Sequence, residues 1–320
     1  MTDPAPVALF AWQRPSHTPR VLAALAASAG AAETDLFVFV DGPRHDREAS
    51  RVAEVIEIAG AASGFRSVSV QAARRNLGLS RSITGGVTSV LQHSERVIVV
   101  EDDIVVSRSF LEYMNDHLEL YANDPTVASV HGYVYPQSRD LPSTFFIAGA
   151  DCWGWATWRR AWEHYRPDGG ALLEELTRRD LLWTFDFGGT AGYVDMLRDQ
   201  IAGRNDSWAV RWYASALLSG MYTLYPSRSL ATNIGSDGSG SHAGVSSAFD
   251  VEVCHDPVPA VRIPVEESTI GRAAFTEFFA SQRSGVGRSS LGRLGRRILR
   301  PLWIRMPSRF RHRVVRLLSP

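Results

Sequence analysis

Lysine is absent from all 320 residues, so arginine alone supplies the 34 basic side chains that balance 34 acids. Cysteine is almost absent. Cys152 and Cys254 cannot build a disulfide framework or a cysteine zinc site, and a reducing, cytoplasmic setting is the default expectation. No run of about eighteen uncharged apolar residues occurs, which excludes an ordinary transmembrane helix. The opening MTDPAPVALFAWQRP lacks a basic region followed by a long apolar stretch, so no secretory signal is expected. What the chain does have is 45% hydrophobic residues against 21% charged ones, enough to fill a core.

A net charge of zero hides a strong asymmetry. Eleven arginines and no acid lie between Arg283 and Pro320, which leaves 23 arginines against 34 acids, a charge of −11, in residues 1–282. A body that acidic argues against broad nucleic-acid binding by the core, and the tail needs its own explanation.

The first half of the chain alternates. Residues 7–12 (VALFAW), 35–40 (DLFVFV), 66–71 (RSVSVQ) and 96–100 (RVIVV) predict strands. Residues 45–59 and 80–93 predict helices, and Ser16 is a candidate cap for another helix over PRVLAALAAS. Alternation at this pitch implies crossover units and a parallel sheet. The second half predicts helices over 110–121, 155–164, 172–182 and 208–218, short strands over 127–131 and 221–225, and a glycine- and serine-rich loop over 233–247. Residues 281–292 are the candidate link between body and tail.

In an open α/β sheet, ligands bind beyond the carboxyl ends of the strands. Three such ends carry polar residues: Gln13-Arg14, Asp41, and the consecutive acids Glu101, Asp102 and Asp103. Three adjacent carboxylates at the end of a buried strand repel one another and push their pKa values up. A hard divalent cation relieves that repulsion. A solvated acidic turn is the plain alternative, and the four apolar residues before the triplet weigh against it.

The segment RVIVVEDDIVVSRSFLEYM resembles the metal-binding acidic motif of GT-A glycosyltransferases. It is most similar to the Glu-Asp-Asp form of the N-acetylglucosaminyltransferase I family and its bacterial family-2-type relatives. VALFAWQRPSHTPRVLAAL resembles that family's first strand, DLFVFVDG its second, and NLGLSRSITGGV the segment lining the nucleotide pocket. The likeness runs over about residues 5–245 and implies a GT-A (Rossmann-like) α/β fold. That fold has a mixed, mainly parallel sheet flanked by helices, here with a basic C-terminal helical tail. The implied domains are 1–280, with a nucleotide-sugar half at 1–125 and an acceptor half at 126–250, and the tail at 281–320.

The resemblance also implies roles. Arg14 and Asp41 match positions that contact the nucleotide base, where a structural ion pair is the alternative. Asn76, Arg81, Glu101 and Asp102 fall in the nucleotide-sugar site. Asp103 matches the ligand of a divalent metal, Mn²⁺ or Mg²⁺, and His242, in GSDGSGSH, is a second candidate for metal or phosphate. Trp155, Trp158 and Trp162 sit at helical spacing, which usually means core packing. A glycine between aromatics is poor core design, so Trp153, Gly154 and Trp155 are candidates for stacking on an acceptor sugar. Asp206 matches the position of the catalytic base or else caps a helix, and Asp151 is the reserve base.

These features together predict an inverting, metal-dependent transfer of a sugar from a nucleotide diphosphate sugar, UDP-linked, to a hydroxyl acceptor. The acceptor would be a glycan or a lipid-linked molecule in bacterial surface polysaccharide synthesis. Two rivals are a nucleotide-sugar-binding protein without transfer activity and a nucleotidyltransferase. The second expects a glycine-rich phosphate loop where this chain has WQRPSHTP.

The tail mixes its arginines with Leu, Ile, Val, Trp303 and Phe310, a pattern that suits an anionic membrane surface and not nucleic acid. Docking on the acidic body is the alternative. At about 1 kcal/mol per basic residue near an anionic leaflet, half the arginines would hold the protein peripherally on the inner face of the membrane. The full chain is therefore expected to sediment with anionic vesicles at low salt and to be released at high salt. A 1–282 truncation should remain in the supernatant, and equal behaviour of the two would remove the tail as an anchor.

Overall fold

The computed structural model describes residues 3–238 and 246–286, with side chains described to residue 283. His242 and the arginine-rich tail beyond residue 286 lie outside the described residues. The strands and helices of the first half follow one another as β1 (Val7–Ala11), α1 (Thr18–Ala26), β2 (Asp35–Val40), α2 (Asp46–Gly60), β3 (Ser67–Ala72), α3 (Leu79–Leu91) and β4 (Arg96–Glu101). β1 pairs in parallel with both β2 and β4, and β2 with β3. All five residues of β1 are buried, as expected of a parallel strand covered on both faces. Helix α1 starts after His17 without a side-chain cap. Ser16, expected to cap it, meets His17 Nδ1 instead at 3.1 Å.

The second half continues with β5 (Ile104–Val106), α4 (Phe110–Leu120), β6 (Val127–His131), β7 (Thr144–Ala148), β8 (Trp155–Trp158), α5 (Arg159–Trp162), α6 (Gly169–Arg178), α7 (Leu182–Phe185), α8 (Tyr193–Ile201), α9 (Trp208–Leu218), β9 (Tyr222–Pro226), β10 (Ala231–Asn233) and α10 (Thr269–Val286). Eight strands make one sheet in the order β3-β2-β1-β4-β8-β6-β9-β7, and β5 with β10 makes a separate ribbon. Four of the seven pairings in the large sheet are parallel; β8 runs against β4 and β6, and β7 against β9. The expected α/β architecture with a mixed, mainly parallel sheet is therefore the one observed. Strands from both sides of residue 125 join in the one sheet, where β4 pairs with β8, and the compact body ends at Phe279. Residues 281–286, expected to begin a link, continue α10. Among the described residues no helix is long and apolar enough to cross a membrane.

The helix expected over 155–164 is a correction. Residues 155–158 form a strand, and only one short helical turn follows. Trp155 faces the core built with α3 and α9, while Ala156 and Trp158 face the opposite core. This alternation has the period of a strand. Trp162 then folds back to the first face, with ring centroids 5.8 Å from Trp155 and 5.1 Å from Trp212. Trp208 stacks on Trp155 at 5.6 Å. Trp155 and Trp162 thus come together through a strand and a turn, while Trp158 packs in the opposite core. Helix α9 is buried on nearly every side and contributes to both cores, as an all-round apolar helix must.

Trp155 is fully buried, and its removal opens a cavity that neighbouring rings cannot fill. Trp155→Ala is expected to lower stability by about 3–5 kcal/mol, read from urea unfolding followed by circular dichroism. A loss below about 1 kcal/mol would contradict this core.

Candidate functional site

Strand direction decides which residues can meet. β1, β2, β3 and β4 point one way, and β6 and β9 share that direction because β8 is antiparallel to both β4 and β6. Their carboxyl ends therefore lie on one edge, where β8 begins. Val99 pairs with Trp155 and His131 with the same residue. Arg14, Asp41, the acidic triplet, the segment after His131 and the segment Asp151–Gly154 are all brought to that edge. This is the crevice where open α/β sheets bind ligands.

At the end of β4, Glu101 closes the strand and Asp102 and Asp103 turn the chain into β5. Asp102 Oδ2 accepts from the Trp12 N–H at 3.1 Å. Arg14 Nη1 donates to Asp103 Oδ2 at 2.6 Å and lies 3.6 Å from Asp102 Oδ1. One guanidinium does not balance three carboxylates. Burial, then the charges of Asp103 and Asp102, push the Glu101 carboxyl well above the ordinary range, against the pull of Arg14. Burial and the charge of Asp103 push Asp102 up to about 7, opposed by Arg14 and the Trp12 N–H. The corner is short of positive charge.

The ribbon of β5 and β10 brings the glycine-rich loop to this corner. Val105 pairs with Thr232 and Ile104 with Asn233, and Ile234 N–H donates to the Asp103 carbonyl at 2.8 Å. A Cβ on Gly235 would overlap Asp103 Oδ2 and lie 3.0 Å from Arg14 Nη1. Further on, Asp237 Oδ2 reaches to 3.2 Å from His17 Nε2. Among the described residues no three His, Cys, Asp or Glu side chains are already gathered as a metal cage. The donor set nevertheless fits a divalent cation that takes most of its oxygens from a bound diphosphate and water. It offers the Asp103 carboxylate, a guanidinium standing in as the cation, and a bare glycine where a side chain would fill the space.

Asp41 has a different task. Its Oδ1 accepts from Gly42 N–H and Leu77 N–H, both at 2.8 Å, and its Oδ2 from Asn76 Nδ2 and Gly78 N–H, both at 3.0 Å. A carboxylate offers about four acceptor positions, and the chain itself fills them. Asn76 spends its second donor on the Gly42 carbonyl at 2.9 Å. Asp41, expected to touch a nucleotide base, and Asn76, expected in the nucleotide-sugar site, together fix the backbone of residues 76–78 as a wall of the crevice. Leu77 and Leu79 project from that wall, exposed, as does Arg81. The adjoining wall is Trp12, whose Nε1 donates to the Gly42 carbonyl at 2.9 Å and whose ring lies 4.3 Å under the Arg44 guanidinium.

On the other side, Asp151 is half-buried. Its Oδ2 accepts from the Tyr135 hydroxyl at 2.6 Å and its Oδ1 from Cys152 N–H at 2.9 Å. Tyr193 O–H lies 3.4 Å from that of Tyr135. The Cys152 thiol is pushed well up by burial, then by the charges of Asp151, Glu101 and Asp103, so Asp151 and the acidic triplet share one neighbourhood. Trp153 is half-buried, with ring centroids 4.8 Å from Tyr133 and 5.4 Å from Phe249. Gly154 is buried at φ +63°, and its carbonyl accepts from Gly132 N–H at 2.7 Å. Of the three residues expected to stack on an acceptor, Trp155 is corrected to core. Gly154 is a tight corner, and Trp153 alone keeps a partly open face.

Asp206 precedes α9 but does not cap it, because Ser207 Oγ accepts from Val210 N–H at 3.2 Å. The Asp206 side chain is 63% exposed and takes a 3.0 Å bond from Arg211 Nη2. Arg211 is buried and tied to the Ser207 carbonyl, the Pro167 carbonyl and, at 2.7 Å, Ser80 Oγ at the start of α3. That link carries Asp206 toward the wall built by Asp41. Tyr135, Tyr193 and Arg211 were not marked by the sequence motifs, and Gly235 was marked only as part of the glycine- and serine-rich loop over 233–247. The alternation of Tyr133 and Tyr135 just past β6 was the one signal available for Tyr135.

No protein-family model and no curated protein sequence matches this chain. Among solved structures it is similar to the mannosyltransferase PcManGT of Pyrobaculum calidifontis in complex with GDP-Man and Mn²⁺. That likeness has 16% identity over 42% of this chain and 37% of that one, at a TM-score of 0.31. It is also similar to residues 1–349 of S. aureus TarS in complex with UDP. There the identity is 12% over 57% of this chain and 54% of that one, at a TM-score of 0.33. The chain thus spans about a third to a half of those proteins, and overlaps of this size carry no argument about its substrate.

His131 links β6 to the Asp151 segment. Its Nε2 accepts from Trp153 N–H at 2.9 Å, which leaves the proton on Nδ1 to donate to the Tyr133 carbonyl at 2.8 Å. Burial holds its pKa below the ordinary value, against the pull of Asp151 and the Tyr133 carbonyl. A histidine of lowered folded-state pKa stabilises above the unfolded value of about 6.5 and loses that stabilisation as pH falls below it. His131→Leu leaves two buried polar groups unpaired, and its expected cost is about 1–3 kcal/mol at neutral pH. In urea unfolding at a series of pH values, the gap between variant and parent should narrow as pH drops below about 6.5; a gap that widens on acidification would contradict the neutral assignment.

Proposed function

We propose that this protein transfers a sugar from a nucleoside-diphosphate sugar, UDP-linked, to a hydroxyl acceptor, with inversion by a single displacement. The observation that carries this reading is the acidic triplet at the carboxyl end of β4, undersupplied with positive charge and set between a rigid wall and a second carboxylate site. The resemblance of RVIVVEDDIVV, DLFVFVDG and NLGLSRSITGGV to GT-A glycosyltransferases supports it. The rival nucleotidyltransferase lacks its glycine-rich phosphate loop here, because the turn after β1 is WQRPSHTP.

Each part of the crevice has a task in this reading. Asp103 would hold a divalent cation, Mn²⁺ or Mg²⁺, which when bound stabilises charge on the departing diphosphate. The wall of residues 76–78, stiffened by Asp41, and Trp12 beside it would confine the nucleotide. Trp153, which keeps a partly open face, would offer aromatic surface to an acceptor ring. Asp206 would take the acceptor proton: its side chain is open to solvent and held by a 3.0 Å bond from Arg211 Nη2. Asp151 is the second candidate, closer to the triplet but already bonded to Tyr135. Surface-polysaccharide synthesis and a lipid-linked acceptor are proposals of the same resemblance.

The test is release of free nucleoside diphosphate from a panel of nucleotide sugars. Asp206→Asn is expected to retain UDP binding while turnover falls by about a hundredfold or more, the usual worth of a general base. Near-normal turnover in Asp206→Asn, with loss in Asp151→Asn, would move the base to Asp151. No release with any donor would leave the binding-protein reading.

A further inference from the structure

The strongest cation at the acidic corner belongs to the chain itself. Arg14 Nη1 sits 2.6 Å from Asp103 Oδ2, and the two side chains are 16% and 18% exposed. The backbone under Arg14 is pinned independently of that contact. Its carbonyl accepts from His17 N–H at 3.1 Å, Thr18 N–H at 3.0 Å and Thr18 Oγ1 at 2.9 Å. The side chain is therefore the part that can leave while its anchor stays. Gly235 closes over the pair, with no room for even a methyl group between the loop and Asp103.

A divalent cation arriving alone meets a carboxylate that already has its counter-ion. To bind, it must eject a guanidinium whose remaining acidic neighbours are Asp102, which it already faces at 3.6 Å, and Asp237, which stands 3.2 Å from His17 Nε2. A cation arriving with a diphosphate is different. The phosphate oxygens give the guanidinium fork a partner of matching geometry, and Asp103 is freed in the same event.

We propose that Arg14 is a counter-ion switch: it occupies Asp103 in the free protein and makes divalent-cation binding depend on a nucleoside diphosphate. The inference rests on the donor site proposed above. It reassigns Arg14 from the base, where the sequence motif puts it, to the phosphates. Because coupling between two ligands is reciprocal, the cation strengthens diphosphate binding by the same factor.

The test reads free Mn²⁺ by electron paramagnetic resonance in titrations of the full chain, with and without UDP, and reads UDP binding by calorimetry. The parent is expected to bind Mn²⁺ alone weakly and at least tenfold more tightly with UDP. Arg14→Gln should bind Mn²⁺ alone more tightly than the parent and show a smaller UDP enhancement, keeping only the part that direct coordination by the diphosphate supplies. Arg14→Lys keeps the charge on Asp103 and should preserve weak binding of Mn²⁺ alone. It also guards against a folding defect in the neutral variant. Unchanged Mn²⁺ affinity in Arg14→Gln, or an equal UDP enhancement in parent and variant, overturns the switch while the donor site stands. Failure of UDP to bind the parent with or without Mn²⁺ overturns the donor site and the switch together.

Discussion

Repulsion among Glu101, Asp102 and Asp103 is the constraint around which this edge of the molecule is arranged. The strand that delivers them is buried on both faces, so the charges cannot be spread into solvent. Each neighbour answers that problem in a different way. Arg14 supplies a full charge, the Trp12 N–H supplies a dipole to Asp102, and the Cys152 thiol is kept neutral between the triplet and Asp151. The balance remains negative, which would suit the cation and diphosphate proposed for this corner.

Asp41 stands one strand away and meets the opposite fate. It too is a carboxylate at the end of a buried strand, yet its charge is met by four hydrogen-bond donors from its own chain. Bonds of this kind to an ionised acceptor are among the stronger ones in proteins. Their effect here is to convert a glycine-containing turn into a rigid wall. The two carboxylate sites therefore differ: one is satisfied by its own chain and gives shape, while the other is left short of positive charge.

Much of this was legible in the sequence. β1, β2 and β4 announced themselves because strands in the middle of a covered sheet read as apolar runs, β3 by its alternation, and the acids that end β4 stand out against such a run. The tryptophan segment misled because Trp155 and Trp158 occupy opposite faces of one strand at a spacing of three, which is also the spacing of a helix. β5 and β10 are three residues each, too short for any period to show. The roles of Arg211, Tyr135 and Gly235 come from contacts between residues more than a hundred positions apart, as in Gly235 against Asp103, or from a neighbour's needs, as in the cap that passes from Asp206 to Ser207. Asp206 and Asp151 were visible as acids, but only their surroundings separate an exposed, ion-paired carboxylate from a half-buried one bonded to a tyrosine.

The ribbon of β5 and β10 carries a consequence for how this chain tolerates change in length. It locks residues 104–106 to residues 231–233, so the spacing from Asn233 to Gly235 is read against Asp103 like a vernier. Removing or adding one residue there would turn the backbone by half a pleat and put a side chain where the bare Cα of Gly235 now lies. The 124 positions enclosed between Ser107 and Leu230 are free of that particular ruler. Length variation should therefore be rare on the amino side of the glycine-rich loop and accommodated inside the enclosed segment.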